Sequence, residues 1–290
     1  MKVNQSWTVI YNPASGGYRP GTLERILRTL QEGGIRSVVL ATEYPGHAVD
    51  LCRALPDADG VACYSGDGTL NEVATGLIGR NVPIAFLPGG TANVMAHELG
   101  LPCDPVQAAR LLMKGRPRPV RPGTVGPGIF LLMAGIGFDA MAVSLVGPRL
   151  KALAGRGAYV WAGIRALFAE SADLRVSGAG EPAFTARWLV AARAGRYGGA
   201  FVIHPAAGLE APALGVAAVG AGSVVPFLVA NLACGRSTSR AGRRLLQTTR
   251  LLVEAAQPVP LQVDGDSWGR ASRFEIGIST ETVPLFFPER

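Results

Sequence analysis

From Tyr64 to Leu77 the chain reads YSGDGTLNEVATGL: an apolar strand end, a small acidic turn, then a helical pattern. One carboxylate, Asp67, stands between Gly66 and Gly68 at the mouth of that helix. Glycines there let backbone N–H groups turn toward an anion, and a helix N-terminus adds positive dipole character, so the loop suits phosphate. A carboxylate would repel phosphate unless a metal ion lay between them. Asp67 therefore points to a magnesium ion, or its water shell, bridging to phosphate oxygens. Thr69 and Glu72 also fit a T-x-x-E capping box, an ordinary helix-start device. That reading covers those two residues but not Asp67 or its glycines.

Two further loops repeat the device. NPASGG (12–17) supplies Asn12, Ser15, Gly16 and Gly17, and PGGTAN (88–93) supplies Gly89, Gly90, Thr91 and Asn93. A single Gly-rich turn is usually just a turn. Three of them, each after an apolar strand-like run, point to one phosphate site. No G-x-x-x-x-G-K-[ST] is present, so the loops are not of the Walker type. Late in the chain, VDGD (263–266) reads as a hairpin with Asp264 and Gly265 in a type I′ turn. Such a turn can also present a catalytic carboxylate, and the two readings are compatible. Ser65 lacks a G-x-S-x-G setting, and His47, His97 and His204 are scattered without triad or metal-ligand spacing.

The elements that must carry these loops follow from the apolar pattern. Strand-like runs at 7–12, 37–42, 60–65 and 82–88 alternate with helical patterns near 21–32, 46–55, 69–79 and 104–114. Alternation of continuously apolar strands with helices predicts a parallel sheet covered on both faces, Rossmann-like in outline. Ligands bind beyond the carboxyl ends of such strands, where all three loops fall. The stretch GRPRPVRPGTVGPG (115–128) breaks the rhythm and reads as a crossover. After two helical patterns near 139–153 and 157–170, the runs RWLVAARA, FVIHP, LGVAAVG, LLQTTRLLVEA, VPLQVDG and RFEIGIS predict a mainly antiparallel β domain with helical insertions. The expected boundaries are 1–125 for the α/β domain and 126–290 for the β domain, with the last strand free to return to the first.

The 290 residues are 48% hydrophobic and 17% charged, enough for a large core and unlike a disordered chain. Net charge is +7, of which residues 1–125 carry +2 and the remainder +5. A basic second half suits an anionic membrane surface, although an ordinary solvated face would look the same. Four dispersed cysteines with no CxxC fit a reduced cytoplasmic setting better than disulfides or zinc. MKVNQSWTVIYN enters a strand at once, without the core of a signal peptide. The most apolar late run, VVPFLVANLACG, is shorter than the roughly 18 to 20 residues of a spanning helix. At 7% aromatic, with no RNA-binding aromatic signature, the chain is not expected to bind nucleic acid.

The ordered set NPASGG, SGDGTLNEV, PGGTAN, GIGFDA (135–140), GRYGG (195–199) and VDGD (263–266) resembles the bacterial diacylglycerol kinases, relatives of the sphingosine kinases. The resemblance implies ATP-dependent phosphorylation of a lipid hydroxyl with magnesium. It implies a phosphofructokinase-like nucleotide domain, a C-terminal β-sandwich for the lipid, and a cleft between them. Asn12, Gly66, Asp67, Gly68, Thr69, Gly89, Gly90 and Thr91 match the family's nucleotide positions, and Glu72 follows the loop in the family's way. The family's late D-G-E motif is Asp264-Gly265-Asp266 here, which makes Asp264 the candidate general base. Three departures stand out. Val94 replaces an acid after PGGTAN, Arg121 replaces an acid in the crossover, and the L-D-D-G that holds a structural magnesium in some relatives reads Leu209-Glu210-Ala211-Pro212. Glu210 is the one carboxylate left for that second metal. The segment 148–170 mixes Lys151, Arg156 and Arg165 with Trp161, Leu167 and Phe168; it reads either as core packing with a basic edge or as an interfacial lipid-entry pair. A lipid kinase would rest on the inner face of the membrane, and a homodimer is compatible with the sequence. The rivals are a soluble-substrate kinase of the NAD-kinase kind and a catalytically weak lipid-binding protein.

Overall fold

A computed structural model describes residues 5–56, 58–138, 140–141, 172–178, 180–197, 201–220 and 243–289. The chain divides into two compact units, Met1–Arg121 with Thr280–Arg290, and Pro122–Ser279. The expected helices at 139–153 and 157–170 fall almost wholly outside the described residues.

The first unit is an α/β layer structure. Its elements run β1 (Gln5–Tyr11), α1 (Pro20–Glu32), β2 (Ile35–Ala41), α2 (His47–Ala54), β3 (Gly60–Ser65), α3 (Asp67–Leu77), β4 (Ile84–Pro88), α4 (Val94–Leu99), α5 (Pro105–Leu112) and β5 (Arg116–Val120), with β18 (Val283–Phe287) returning from the chain end. The sheet order is β2-β1-β3-β4-β18-β5. The first four strands pair in parallel. β3 and β4 are buried along their whole length, as strands covered on both faces must be. β2 lies at the edge, where Val38 is 57% exposed. Helix α1 opens on Pro20, whose fixed φ suits the first helical position, and buries Leu23, Ile26 and Leu30 at helical spacing.

The crossover expected at 115–128 is in part a strand. β5 pairs antiparallel with β18, setting Pro117 against Phe286 and Pro119 against Pro284. Proline cannot donate to a ladder, so a Pro-rich strand is confined to a sheet edge, where β5 sits.

The second unit continues with β6 (Gly123–Val125), β7 (Gly128–Phe130), β8 (Met133–Gly137), β9 (Leu174–Ser177), β10 (Phe184–Ala186), β11 (Trp188–Ala192), β12 (Arg196–Tyr197), β13 (Phe201–Val202), β14 (Leu214–Val219), β15 (Arg243–Thr248), β16 (Arg250–Val263) and β17 (Asp266–Ile278). Ten of these form one antiparallel sheet. Its inward residues make a single core, including Phe130, Ile136, Leu189, Val216, Val253 and Phe274. The run LLQTTRLLVEA is two strands, because Thr248 turns the chain: its Oγ1 donates to the Arg250 carbonyl at 2.7 Å and accepts from the Arg250 N–H at 3.2 Å. VPLQV instead continues β16, whose first half pairs with β9 and whose last three residues pair with β8.

Candidate active site

The Gly-rich loops meet at the carboxyl edge of the parallel sheet. Asn12 follows β1 and organises the first loop: its Oδ1 accepts from the Ala14 N–H at 2.8 Å, and its Nδ2 donates to Thr69 Oγ1 at 3.2 Å. The Gly89 carbonyl accepts from Ser15 Oγ at 2.6 Å and from the Gly17 N–H at 2.9 Å. Asn93, at φ +47, closes the third loop on itself: Oδ1 accepts from the Gly90 N–H at 2.8 Å and Nδ2 donates to the Gly90 carbonyl at 2.9 Å. The glycines are there because neighbouring loops touch. A Cβ on Gly90 would lie 2.5 Å from Gly66 Cα, one on Gly17 2.6 Å from the Gly89 oxygen, and one on Gly16 2.8 Å from Thr91 Oγ1.

Helix α3 begins at Asp67, with extended Gly66 as N-cap and no side-chain cap. The expected capping box is therefore not formed: Thr69 lies inside the first turn and takes the Asn12 amide instead. Glu72 reaches another element, accepting from the Gly46 N–H at 2.9 Å and the Ala48 N–H at 3.3 Å at the start of α2. An uncapped helix start facing glycine backbones suits a phosphate group.

Asp67 is half-buried, and its carboxylate accepts from the N–H groups of Val94 and Met95, both at 2.9 Å. The α4 N-terminus thus orients the acid and stabilises its charge. With Glu72 turned to α2, Asp67 is the carboxylate at the mouth of these loops. Among the described residues no three His, Cys, Asp or Glu side chains cluster to hold a metal. One oriented carboxylate beside these Gly-rich loops would suit a magnesium ion whose remaining ligands come from outside the protein.

Asp264 lies in the second unit. It occupies the left-handed region at φ +50, followed by Gly265 at +88, which is the type I′ pattern of a two-residue hairpin between β16 and β17. Gln262, 2% exposed, accepts from the Gly265 N–H at 2.8 Å and staples the turn. The Asp264 carboxylate folds back on the chain before β8. Oδ2 accepts from the Leu131 N–H at 2.9 Å, and Oδ1 from those of Leu132 and Met133 at 2.8 and 2.9 Å. Asp266 stands exposed at the start of β17. Glu210 is exposed on the 209–213 loop, which is gathered around the buried Arg193.

Three features escaped the sequence reading. The loop after β2, Thr42 to His47, joins the same sheet edge: the Thr42 N–H donates to the Tyr11 carbonyl at 2.9 Å, and Tyr44 stacks on His47 at 4.4 Å. Its signal was a Pro-Gly pair after an apolar run, as in the other loops. Tyr11 and Tyr18 stack at 5.3 Å beside the first loop. Arg193 was signalled only by a cation inside the apolar run WLVAARA. A cavity of about 240 Å³ lined by Trp7, Pro83, Leu112 and Phe286 sits instead at the amino ends of the strands, away from these loops.

The fold and loops define a protein with a parallel α/β domain, whose Gly-rich loops meet at one sheet edge, joined to an antiparallel β domain. Residues 6–125 match the family model of the diacylglycerol kinase catalytic domain. The chain is 32% identical to a diacylglycerol kinase of Bacillus subtilis (strain 168), over 55% of this chain and 54% of that protein. It is 31% identical to sphingosine kinase 1 of Arabidopsis thaliana, over 36% of this chain and 24% of that protein. The alignments thus span about half or less of these relatives. A crystal structure of a diacylglycerol kinase from Bacillus anthracis str. Sterne superposes with a TM-score of 0.76 at 19% identity, covering 98% of this chain and 97% of that one. The resemblance to the diacylglycerol kinase family is borne out, and so is the two-part fold.

Proposed function

We propose that this chain is an ATP-dependent lipid kinase that phosphorylates a hydroxyl of a diacylglycerol-like or other long-chain lipid alcohol. The observation that carries the reading is the convergence of the three Gly-rich loops on the uncapped start of α3, with Asp67 oriented at their mouth. Asn12, Ser15, Gly16, Gly17, Gly66, Gly68, Thr69, Gly89, Gly90 and Thr91 would cradle the nucleotide, and Glu72 would hold α2 and α3 together behind it. Asp67 would meet magnesium, which neutralises charge on the transferring phosphoryl group when bound.

In the reaction, a bond forms between the lipid oxygen and the γ-phosphorus, and the bond to the β,γ-bridging oxygen breaks to leave ADP. The hydroxyl proton goes to a carboxylate. On the motif, Asp264 is that base. The three amide donors favour a second assignment, in which Asp264 is a positioning residue that shapes 131–133 and exposed Asp266 takes the proton. Amides aimed at a carboxylate stabilise its anionic form and fix it in place, which serves an anchor better than a base.

No helix among the described residues is long and apolar enough to cross a membrane. We propose peripheral contact with the inner face of the membrane through 148–170, which lies outside the described residues. A homodimer is compatible with this reading. Turnover with radiolabelled ATP against a lipid panel, with and without magnesium, tests the proposal. Phosphate transfer to lipid supports it; transfer to NAD or another soluble acceptor alone, or lipid binding without transfer, would replace it. Co-sedimentation with anionic vesicles should weaken as salt rises.

A further inference from the structure

Arg193, which directly follows β11, is 1% exposed. Its Nη1 donates to the carbonyls of Ala211 at 2.8 Å and Ala213 at 3.2 Å, and its Nη2 to that of Leu209 at 2.5 Å. Its backbone N–H, with that of Ala194, donates to the Leu132 carbonyl at 2.8 and 3.0 Å. The Leu132 N–H in turn donates to Asp264. One buried cation thus gathers the 209–213 loop and ties it, through the single residue Leu132, to the segment that seats the Asp264 hairpin.

We propose that Arg193 takes the place of a divalent cation in the 209–213 loop, so that this loop keeps its shape without bound metal. Carbonyl oxygens converging on one point are the donors a hard cation prefers. A guanidinium meets the same need with fixed N–H donors and a charge that is never lost. Carbonyls already aimed at a guanidinium are not arranged around an ion. A doubly charged ion beside a buried positive charge would also be repelled in a medium that screens poorly. The carboxylates such an ion requires are missing: the loop reads Leu209-Glu210-Ala211-Pro212, and Glu210 is exposed. The residues present therefore do not fit a structural magnesium, and Arg193 explains why the loop can do without one. A buried charge needs partners, and the three carbonyls supply them to Nη1 and Nη2.

The test is hydrogen exchange read by mass spectrometry on the full chain without nucleotide, alongside the thermal midpoint. Exchange at 209–213 and the midpoint should be the same in excess EDTA, millimolar magnesium and millimolar calcium. Arg193→Gln should speed exchange across 209–213 by about tenfold or more, because the carbonyls lose charged donors. Arg193→Lys, which keeps the charge but not the fork, should fall between. Faster loop exchange or a lower midpoint of the unsubstituted protein in EDTA overturns the proposal, as does unchanged exchange in Arg193→Gln. If Arg193→Gln does not fold, the EDTA comparison decides alone. None of these readouts depends on kinase activity.

Discussion

Replacing Asp264 with Asn separates an anchor from a base. Asn tolerates the left-handed backbone as well as Asp does, so φ +50 costs nothing extra. The amide keeps one oxygen, which can still accept from Leu132 and Met133. Its NH2 then faces the Leu131 N–H, donor against donor, where a carboxylate oxygen now accepts at 2.9 Å. Hydrogen bonds to a charged group contribute about 1.5 to 3 kcal/mol, and a stranded donor costs ~1 to 3 kcal/mol. The site is only partly buried. A total near the lower end, about 2 to 3 kcal/mol, is therefore reasonable. For a domain of this size that lowers the thermal midpoint by roughly 4 to 12 °C. Scanning fluorimetry of Asp264→Asn and Asp266→Asn, paired with initial rates, gives both readouts. If Asp264 is the base, its Asn variant loses about 10²- to 10⁴-fold in kcat, with the KM for ATP near normal. If it is the anchor, the midpoint falls and the large kcat loss belongs to Asp266→Asn. An Asp264→Asn protein with an unchanged midpoint would refute the claim that these amide bonds hold the hairpin in place.

Gly90→Ala should push the third loop off the second, since the new Cβ lies 2.5 Å from Gly66 Cα. We expect the KM for ATP to rise by about tenfold or more, ~1.4 kcal/mol of binding, with circular dichroism unchanged; a normal KM would separate these loops from the nucleotide. Burial pushes the thiols of Cys52 and Cys63 up to about 12, while Cys103 is exposed. Alkylation near neutral pH should therefore label Cys103 and spare Cys52 and Cys63 until denaturant is added, as peptide mapping would show. Burial, with help from Arg243, holds the His204 imidazole below its ordinary range, and its Nδ1 accepts from the Ala206 N–H at 3.1 Å. Because the folded state disfavours the proton, this stability is fully present above the unfolded value of about 6.5 and declines as pH falls below it. The thermal midpoint should drop on acidification, and less so in His204→Gln.

The order of the Gly-rich loops, the alternation of apolar runs with helices and the VDGD hairpin were legible in the sequence because each rests on local chemistry. A glycine pair after an apolar strand implies a loop wherever the strand goes, and D-G between apolar runs implies a type I′ turn. The destination of side chains was not legible. Thr69 and Glu72 matched a capping box by spacing, yet Glu72 bonds the start of α2, which the packing of α2 against α3 brings within its reach. RPRPV looked like a linker until β18, more than 160 residues later in the sequence, supplied the ladder that makes it an edge strand. Asp264 read as a turn residue and candidate base, and only the fold placed three backbone donors, more than 130 residues earlier in the sequence, around its oxygens. Arg193 drew no reading within the apolar run RWLVAARA, because the carbonyls it holds at 209–213 lie 16 or more residues further on. In each case the deciding partner lies far away in sequence, and short-range propensity carries no information about distant donors and acceptors. Local residue types determined which loops and turns could form; only the tertiary structure decided which charges those loops hold.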